Sequence, residues 1–177
     1  MGNSSSIRLA KYYKQTLAGL QSDLKKTNQA IDALIDADKR LKKLFSCIES
    51  VPGVGRVTAP EIIINTNEFN RINNARKYPC YAGEAPFEHI SGTSVRGKTR
   101  TCKKANRKAK SLLHMASLVP SRYCEELREY YERKVAEGKN KMNVLNAVKN
   151  KIIHRIFACV NQKRKYELNY KFFLVES

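Results

Sequence analysis

The sequence predicts a mainly helical protein: a long N-terminal coiled-coil helix, then a helical domain containing a helix-hairpin-helix and an irregular serine-bearing loop. Three observations lead there. Apolar residues recur three and four apart over most of the chain, which is the spacing of a helix face. A Gly-apolar-Gly turn, "PGVG", separates two of these periodic segments. One stretch, 80–102, is rich in Gly, Pro, Ser and Thr and reads as loop with at most short strands. The organisation expected is an arm over 7–37, a helical domain over 38–164 and a tail over 165–177. Within the domain the helix-hairpin-helix takes 39–66, the serine loop 80–102 and a helical bundle 103–164.

Residues 7 to about 36 form the first helix. Leu17, Leu20, Leu24, Ile31 and Leu34 alternate three and four apart, with Thr27 filling the missing place, and this is a heptad seam. A single helix cannot bury its own seam, so the arm is expected to pair, either as a hairpin within one chain or as a coiled coil between chains. Asp38 continues the count but is costly in a seam and favourable as an N-cap, so a break is placed at 36–38. A short helix is expected over about 70–79, ending at Pro79. From Ala105, the residues Ala109, Leu112, Leu113 and Ala116 keep helical spacing until Pro120 closes the helix. Ser121 is read as the cap of the next, which carries Leu127, Tyr131 and Val135 on one face and stops at Gly138. The last long helix, about 141–164, presents Leu145, Val148, Ile152, Ile156 and Phe157. The tail "KYELNYKFFLVES" fits either an edge strand or a segment that orders on docking.

With 177 residues and 42% hydrophobic content, the chain has room for one ordinary domain and an appendage around a real core. Its 34 Lys+Arg against 16 Asp+Glu leave a formal charge of +18, which suits a polyanionic partner, most simply nucleic acid. No stretch of about 18 consecutive apolar residues exists to span a bilayer. The five cysteines show no C-x-x-C and no histidine at ligand spacing, so they read as reduced thiols of a cytoplasmic protein rather than a zinc site. "MGNSSS" matches a myristoylation pattern formally and reads as an ordinary chain start.

Two segments carry the chemistry. In "IESVPGVGRVTAPEII", Ile48, Val51, Gly53, Val54, Gly55, Ala59, Ile62 and Ile63 satisfy every place of a helix-hairpin-helix template. Gly53 and Gly55 allow the tight turn and let backbone N–H groups approach a phosphate. Thr58 and Glu61 have the spacing of a capping box, with Pro60 tolerated in the first turn. The plain alternative is a helical hairpin with a Gly-rich turn. The second segment, "EHISGTSVRGKTRTCKKANRK", places Arg96, Lys98, Arg100, Lys103, Lys104, Arg107 and Lys108 after a Ser91-Gly92 pair. The span 89–124 lacks acids, and a second acid-free span, 138–166, adds Lys149, Lys151, Arg155 and Arg164 among others, so two basic faces suggest a nucleic-acid channel. His89 beside Ser91 invites a Ser–His reading that an irregular loop does not support. Pro86 argues against a shared helical face for Glu84 and Glu88, His114 and His154 read as structural, and no carboxylate cluster for Mg²⁺ is visible.

The segment "YPCYAGEAPFEHISGTSVRGKTRTCKKANRKAKSLLHMASL", preceded by "SVPGVGRVTAPEI", resembles the C-terminal domain of the DEDD-type, RNA-guided serine insertion-sequence transposases, relatives of the Piv-type pilin-gene invertase. The resemblance runs from about Lys42 to Val160, with Tyr81, Gly83, Pro86 and Ser91-Gly92 in the family's order, and the preceding helix resembles that family's coiled-coil arm. It implies a bacterial, nucleoid-associated protein that recombines DNA with a guide RNA and assembles as a homo-oligomer. It also implies that Ser91 is the nucleophile of a phosphoserine link. The family's serine works with four acidic residues that bind Mg²⁺ in an N-terminal RuvC-like domain. None of the four can be placed on this chain, so the chain reads as a C-terminal portion with no cofactor of its own and no activity in isolation. Ala105 stands where the pattern usually has glycine. The choice of Ser91 over Thr93 and Ser94 rests on the Ser-Gly alignment. Chemically, a serine hydroxyl needs a base or positive charge to attack, and Arg96, Lys98 and Arg100 supply charge. The alternative is a non-catalytic nucleic-acid-binding helix-hairpin-helix module that only clamps the backbone.

Overall fold

In the computed structural model, residues 3–91, 95–101 and 105–168 are described, with side chains over 13–85 and 105–168. The chain divides into two compact units, Met1–Lys42 and Lys43–Ser177. The architecture is mainly helical, as expected. Helix α1 (Asn3–Ala37) makes up most of the first unit. Its seam is open to solvent: Leu17, Leu20, Leu24 and Leu34 are all more than half exposed. Thr27, at the polar place in the seam, turns its hydroxyl back to donate to the Asp23 carbonyl at 2.8 Å. The helix breaks where the carboxylate interrupts the pattern, because Asp38 accepts from the Arg40 and Leu41 N–H groups at 2.7 and 3.2 Å. Helix α2 (Lys39–Glu49) begins there.

The second unit is built from α2, α3 (Thr58–Thr66), α4 (Lys77–Ala82), a β-hairpin, α5 (Arg107–Leu118), α6 (Pro120–Tyr123), α7 (Glu125–Ala136) and α8 (Lys141–Asn161). The core gathers Ile48, Val51, Ile62, Leu113, Leu127, Val148, Ile152 and Ile156, all essentially inaccessible. These are the periodic positions read from the sequence, and their burial is the main stabilising term. Phe69 packs edge-on to Phe157 with centroids 4.8 Å apart. It gets there through three successive left-handed residues, Asn67, Glu68 and Phe69 (φ 50°, 52° and 64°). The Thr66 hydroxyl, which accepts from the Phe69 N–H at 3.2 Å, helps hold that costly turn.

Four local expectations are corrected. The helix placed at 70–79 lies instead at 77–82, and Pro79 sits in its first turn, where no intrahelical N–H is needed. Pro120 ends α5 but also opens α6 at its first position, so Ser121 caps nothing and donates to the Leu118 carbonyl at 2.8 Å. Gly138 does stop α7, at φ +81°. The segment read as irregular is partly ordered as an antiparallel hairpin, β1 (Pro86–Ser91) with β2 (Val95–Thr101). The alternation of "FEHIS" and "VRGKT" is short, and glycine and charge hide it from a composition-based reading. The capping box is also absent: α3 starts one residue early, after Val57, so Thr58 is already inside the helix and Glu61 turns elsewhere.

The tail begins by docking. The Tyr166 N–H donates to the Ser50 hydroxyl at 2.7 Å, and the Arg155 guanidinium lies 5.1 Å over the Tyr166 ring. Residues 169–177 lie outside the described residues. Among the described residues no helix is long and apolar enough to cross a membrane. The described thiols Cys47, Cys80, Cys124 and Cys159 are free, and burial raises the Cys159 pKa.

Tyr78 lies at the centre of the unit, 1% exposed and 6.0 Å from the Phe157 ring. Burial pushes its hydroxyl up to about 12 from 10.0. A raised folded-state pKa gives stability that is complete below the unfolded value and lost as pH rises through the folded one. Between pH 10 and 12 the protein should therefore lose about 2–3 kcal/mol from this residue alone. Chemical denaturation across that window should show Tyr78→Phe losing less stability than the parent by about that amount; equal losses would contradict the assignment.

Candidate nucleic-acid interface and serine hairpin

The site is assembled around the N-terminus of α5. Asn106 caps this helix, its side-chain carbonyl accepting from the Ala109 N–H at 3.0 Å. The same amide donates through Nδ2 to the Tyr81 hydroxyl at 3.0 Å and to Asn65 Oδ1 at 3.3 Å. The Tyr81 hydroxyl donates to Asn65 Oδ1 at 3.1 Å, and Asn65 donates to Glu61 at 3.3 Å. Glu61 meets Lys108 Nζ at 2.6 Å, which closes a polar ring through α3, α4 and α5. The Arg71 guanidinium lies 5.4 Å over the Tyr81 ring. The backbone follows the same route, since the Asn106 N–H donates to the Tyr81 carbonyl at 3.1 Å. Positions 81 and 106 are thus fastened together, and the hairpin is the chain between them.

Ser91 is the last residue of β1 and stands opposite Val95 in the ladder. Arg96 is opposite Ile90, Arg100 is opposite Phe87, and Lys98 lies in β2 where the register shifts by one residue between Phe87 and His89. The hairpin therefore brings Ser91 and Arg96 to the same end and carries Lys98 and Arg100 back toward the base. The side chains of these four residues and of His89 lie outside the described residues, as do Gly92, Thr93, Ser94, Lys103 and Lys104.

Arg107 and Lys108 are exposed on the first turn of α5, and Lys108 is already engaged by Glu61. Lys110 points back to the hairpin's root and donates to the Gly83 carbonyl at 3.2 Å. The second basic span is less available than its charge suggests. Lys149 is 3% exposed, and its ammonium sits 3.0 and 3.1 Å from the two oxygens of buried Glu84, with Asn146 Oδ1 at 3.1 Å. Arg155 pairs with Glu126, and the Lys151 ammonium lies 4.5 Å over the Tyr130 ring. The second basic face expected from 138–166 is accordingly reduced, because tertiary partners absorb several of its charges. Among the described residues no group of three or more His, Cys, Asp or Glu residues could hold a metal ion.

The two glycines of the α2–α3 turn differ sharply. Gly53 has φ +88°, and a Cβ there would lie 2.1 Å from the Ala116 carbonyl oxygen and 2.5 Å from Pro120 Cγ. It is the point at which the turn presses onto α5 and α6. A Cβ at Gly55 would meet nothing within 4 Å, so a side chain there would have open space. Asn106, Asn65 and the Glu84–Lys149 pair were not singled out from the sequence. An asparagine directly before an apolar-periodic segment is an N-cap signal, so Asn106 was findable; Asn65 and Glu84 offer no such local mark.

Residues 46–132 match the family described as Transposase IS116/IS110/IS902 family. The chain is 23% identical over 164 residues to the "Pilin gene-inverting protein" of Moraxella bovis, covering 92% of this chain and 51% of that one. It is 27% identical over 152 residues to the "Insertion element IS110 uncharacterized 43.6 kDa protein" of Streptomyces coelicolor, covering 86% of this chain and 37% of that protein. A similar protein of insertion element IS116 from Streptomyces clavuligerus is 25% identical over 154 residues, covering 83% of this chain and 38% of that one. The chain spans about half, or less, of the length of these relatives.

The glycine geometry predicts a clean separation. Gly53→Ala forces a Cβ into backbone at a positive φ and should cost about 3 kcal/mol or more, whereas Gly55→Ala should change the melting temperature little. Thermal denaturation of both variants checks this, and equal destabilisation would refute it.

Proposed function

We propose that this chain is the DNA-binding, serine-bearing portion of an insertion-sequence transposase or recombinase. The observation that carries the reading is the clamped hairpin. Ser91 stands at the end of a strand whose root is tied to a helix start rich in cationic residues, within the stretch that matches a transposase family. The names of the relatives, an inverting protein and insertion-element proteins, support DNA rearrangement as the process.

In the proposed reaction the Ser91 hydroxyl oxygen forms a bond to a backbone phosphorus, and the bridging P–O bond of the strand breaks. The serine proton passes to a base, the departing sugar oxygen takes one up, and the strand end stays on the protein as a phosphoserine ester. Arg96, Lys98 and Arg100 neutralise the phosphate as charge develops on it. Lys103, Lys104, Arg107 and Lys108 hold the flanking backbone, and Gly55 offers main-chain N–H groups to a further phosphate. Gly53 contributes to this surface by shaping the turn. The described residues do not suit Mg²⁺, so any metal would be held by carboxylates outside these residues, and an RNA guide would likewise engage the assembled protein. Arm helices would pair through the open leucine seam to build a homo-oligomer.

Two experiments test this reading. In the full-length protein, with Mg²⁺ and guide RNA supplied, mass spectrometry of digested adduct should place the phosphate on Ser91. Ser91→Ala should abolish strand exchange while still binding DNA, and Thr93→Ala and Ser94→Ala should retain activity. A link at another hydroxyl, or recombination by Ser91→Ala, would overturn the mechanism; DNA binding without any adduct would favour the clamp-only module. For the arm, Leu20→Asp with Leu24→Asp should convert an oligomer to monomer by light scattering, and an unchanged mass would exclude the seam as the interface.

A further inference from the structure

We infer that the cleft between α5 and α8 receives a single unpaired nucleotide of the bound DNA. The inference rests on the DNA-binding reading above and names a site within it. The cleft measures about 400 Å³ and opens beside the root of the hairpin, since Lys110 on its rim donates to the Gly83 carbonyl three residues before β1 begins. That volume lies in the range of pockets that enclose one small ligand and excludes a base-paired duplex.

The lining suits the two halves of a nucleotide. Arg107 and Lys110, one helical turn apart on α5, place two cations at the rim, where a phosphate would sit. Glu84 would repel that phosphate, but Lys149 contacts both of its oxygens and neutralises it. The walls are different in kind. Met142, apolar and more than half exposed, and the aliphatic stems of Arg107 and Lys110 offer surface against which a base can lie, while the buried Glu84–Lys149 pair is the lining most withdrawn from solvent. Ser111, His114 and Asn146 add hydrogen-bonding groups for a base edge. Apolar walls with a few polar groups and a cationic rim are the features that hold a base removed from its stack. A phosphate alone would leave the interior unfilled.

Fluorescence anisotropy of the 177-residue chain with two DNA duplexes, one fully paired and one carrying a single bulged nucleotide, tests the inference. The bulged duplex should bind about tenfold tighter, the worth of roughly one or two good contacts. Ser111→Leu and Ser111→Gln fill the cleft from an exposed position without changing charge or adding a ring on which a base could stack. Each should erase the preference while leaving affinity for the paired duplex unchanged. Equal affinity of the parent for both duplexes, or a preference that survives both variants, would overturn the cleft assignment and leave the DNA-binding reading standing. Failure to bind either duplex would overturn both. Tighter binding of the same bulge in an RNA duplex would overturn the assignment to DNA.

Discussion

The geometry around the hairpin depends on one side chain, Asn106. Its carbonyl satisfies an orphan N–H at the start of α5, while its amide joins Tyr81 and Asn65 in a single hydrogen-bonded group. A helix cap is normally a local device. Here it is also a tertiary joint, because the cap's second function fixes where α4 ends relative to where α5 begins. The strands between them need no extensive core of their own: a two-stranded hairpin is marginal in isolation, and closing its base removes most of the loop entropy that ordering it would cost. The contacts of this joint are made by Asn106 itself and not by the preceding Ala105.

Beside this joint lies a buried ion pair with a different physical role. Glu84 and Lys149 are both almost fully withdrawn from water, so neither charge is tolerable without the other. The pair joins a residue two positions before the hairpin to the middle of α8, and Asn146 adds a third acceptor for the ammonium. Removing one partner would strand a charge in the interior, which makes the pair a determinant of position more than of net stability. Together with the Asn106 group, it sets the hairpin's root from two sides.

Charge in this protein is divided between structure and surface. The formal excess of +18 describes the field that a distant polyanion meets. Contact-range chemistry depends on which cations are already occupied. Lys149, Lys151 and Arg155 are spent on Glu84, Tyr130 and Glu126, while Arg107 is exposed at the helix start and Lys108, also exposed, is paired with Glu61. The proposed interface therefore centres on the hairpin and the start of α5, not evenly on both basic spans. The α2–α3 turn follows the same logic: of two glycines that look equivalent in "PGVG", one is closely packed and the other has open space where a side chain would lie.

The sequence by itself determined the helical class, the heptad seam of the arm, the break at Asp38, the stop at Gly138 and most of the core. Each rests on local periodicity or on a cap, which a linear pattern records faithfully. Tertiary structure decided the rest. Whether Gly53 serves a ligand or a neighbour depends on Ala116 and Pro120, more than sixty positions away. Whether Lys149 is a surface charge depends on Glu84, 65 residues earlier. The sequence allows short strands in this segment but not their pairing or register, because they are glycine-broken and charge-rich and the base that closes them is joined only in the folded chain, at Tyr81 and Asn106. Periodicity reveals which face of a segment is buried; only the packed chain shows which partner buries it.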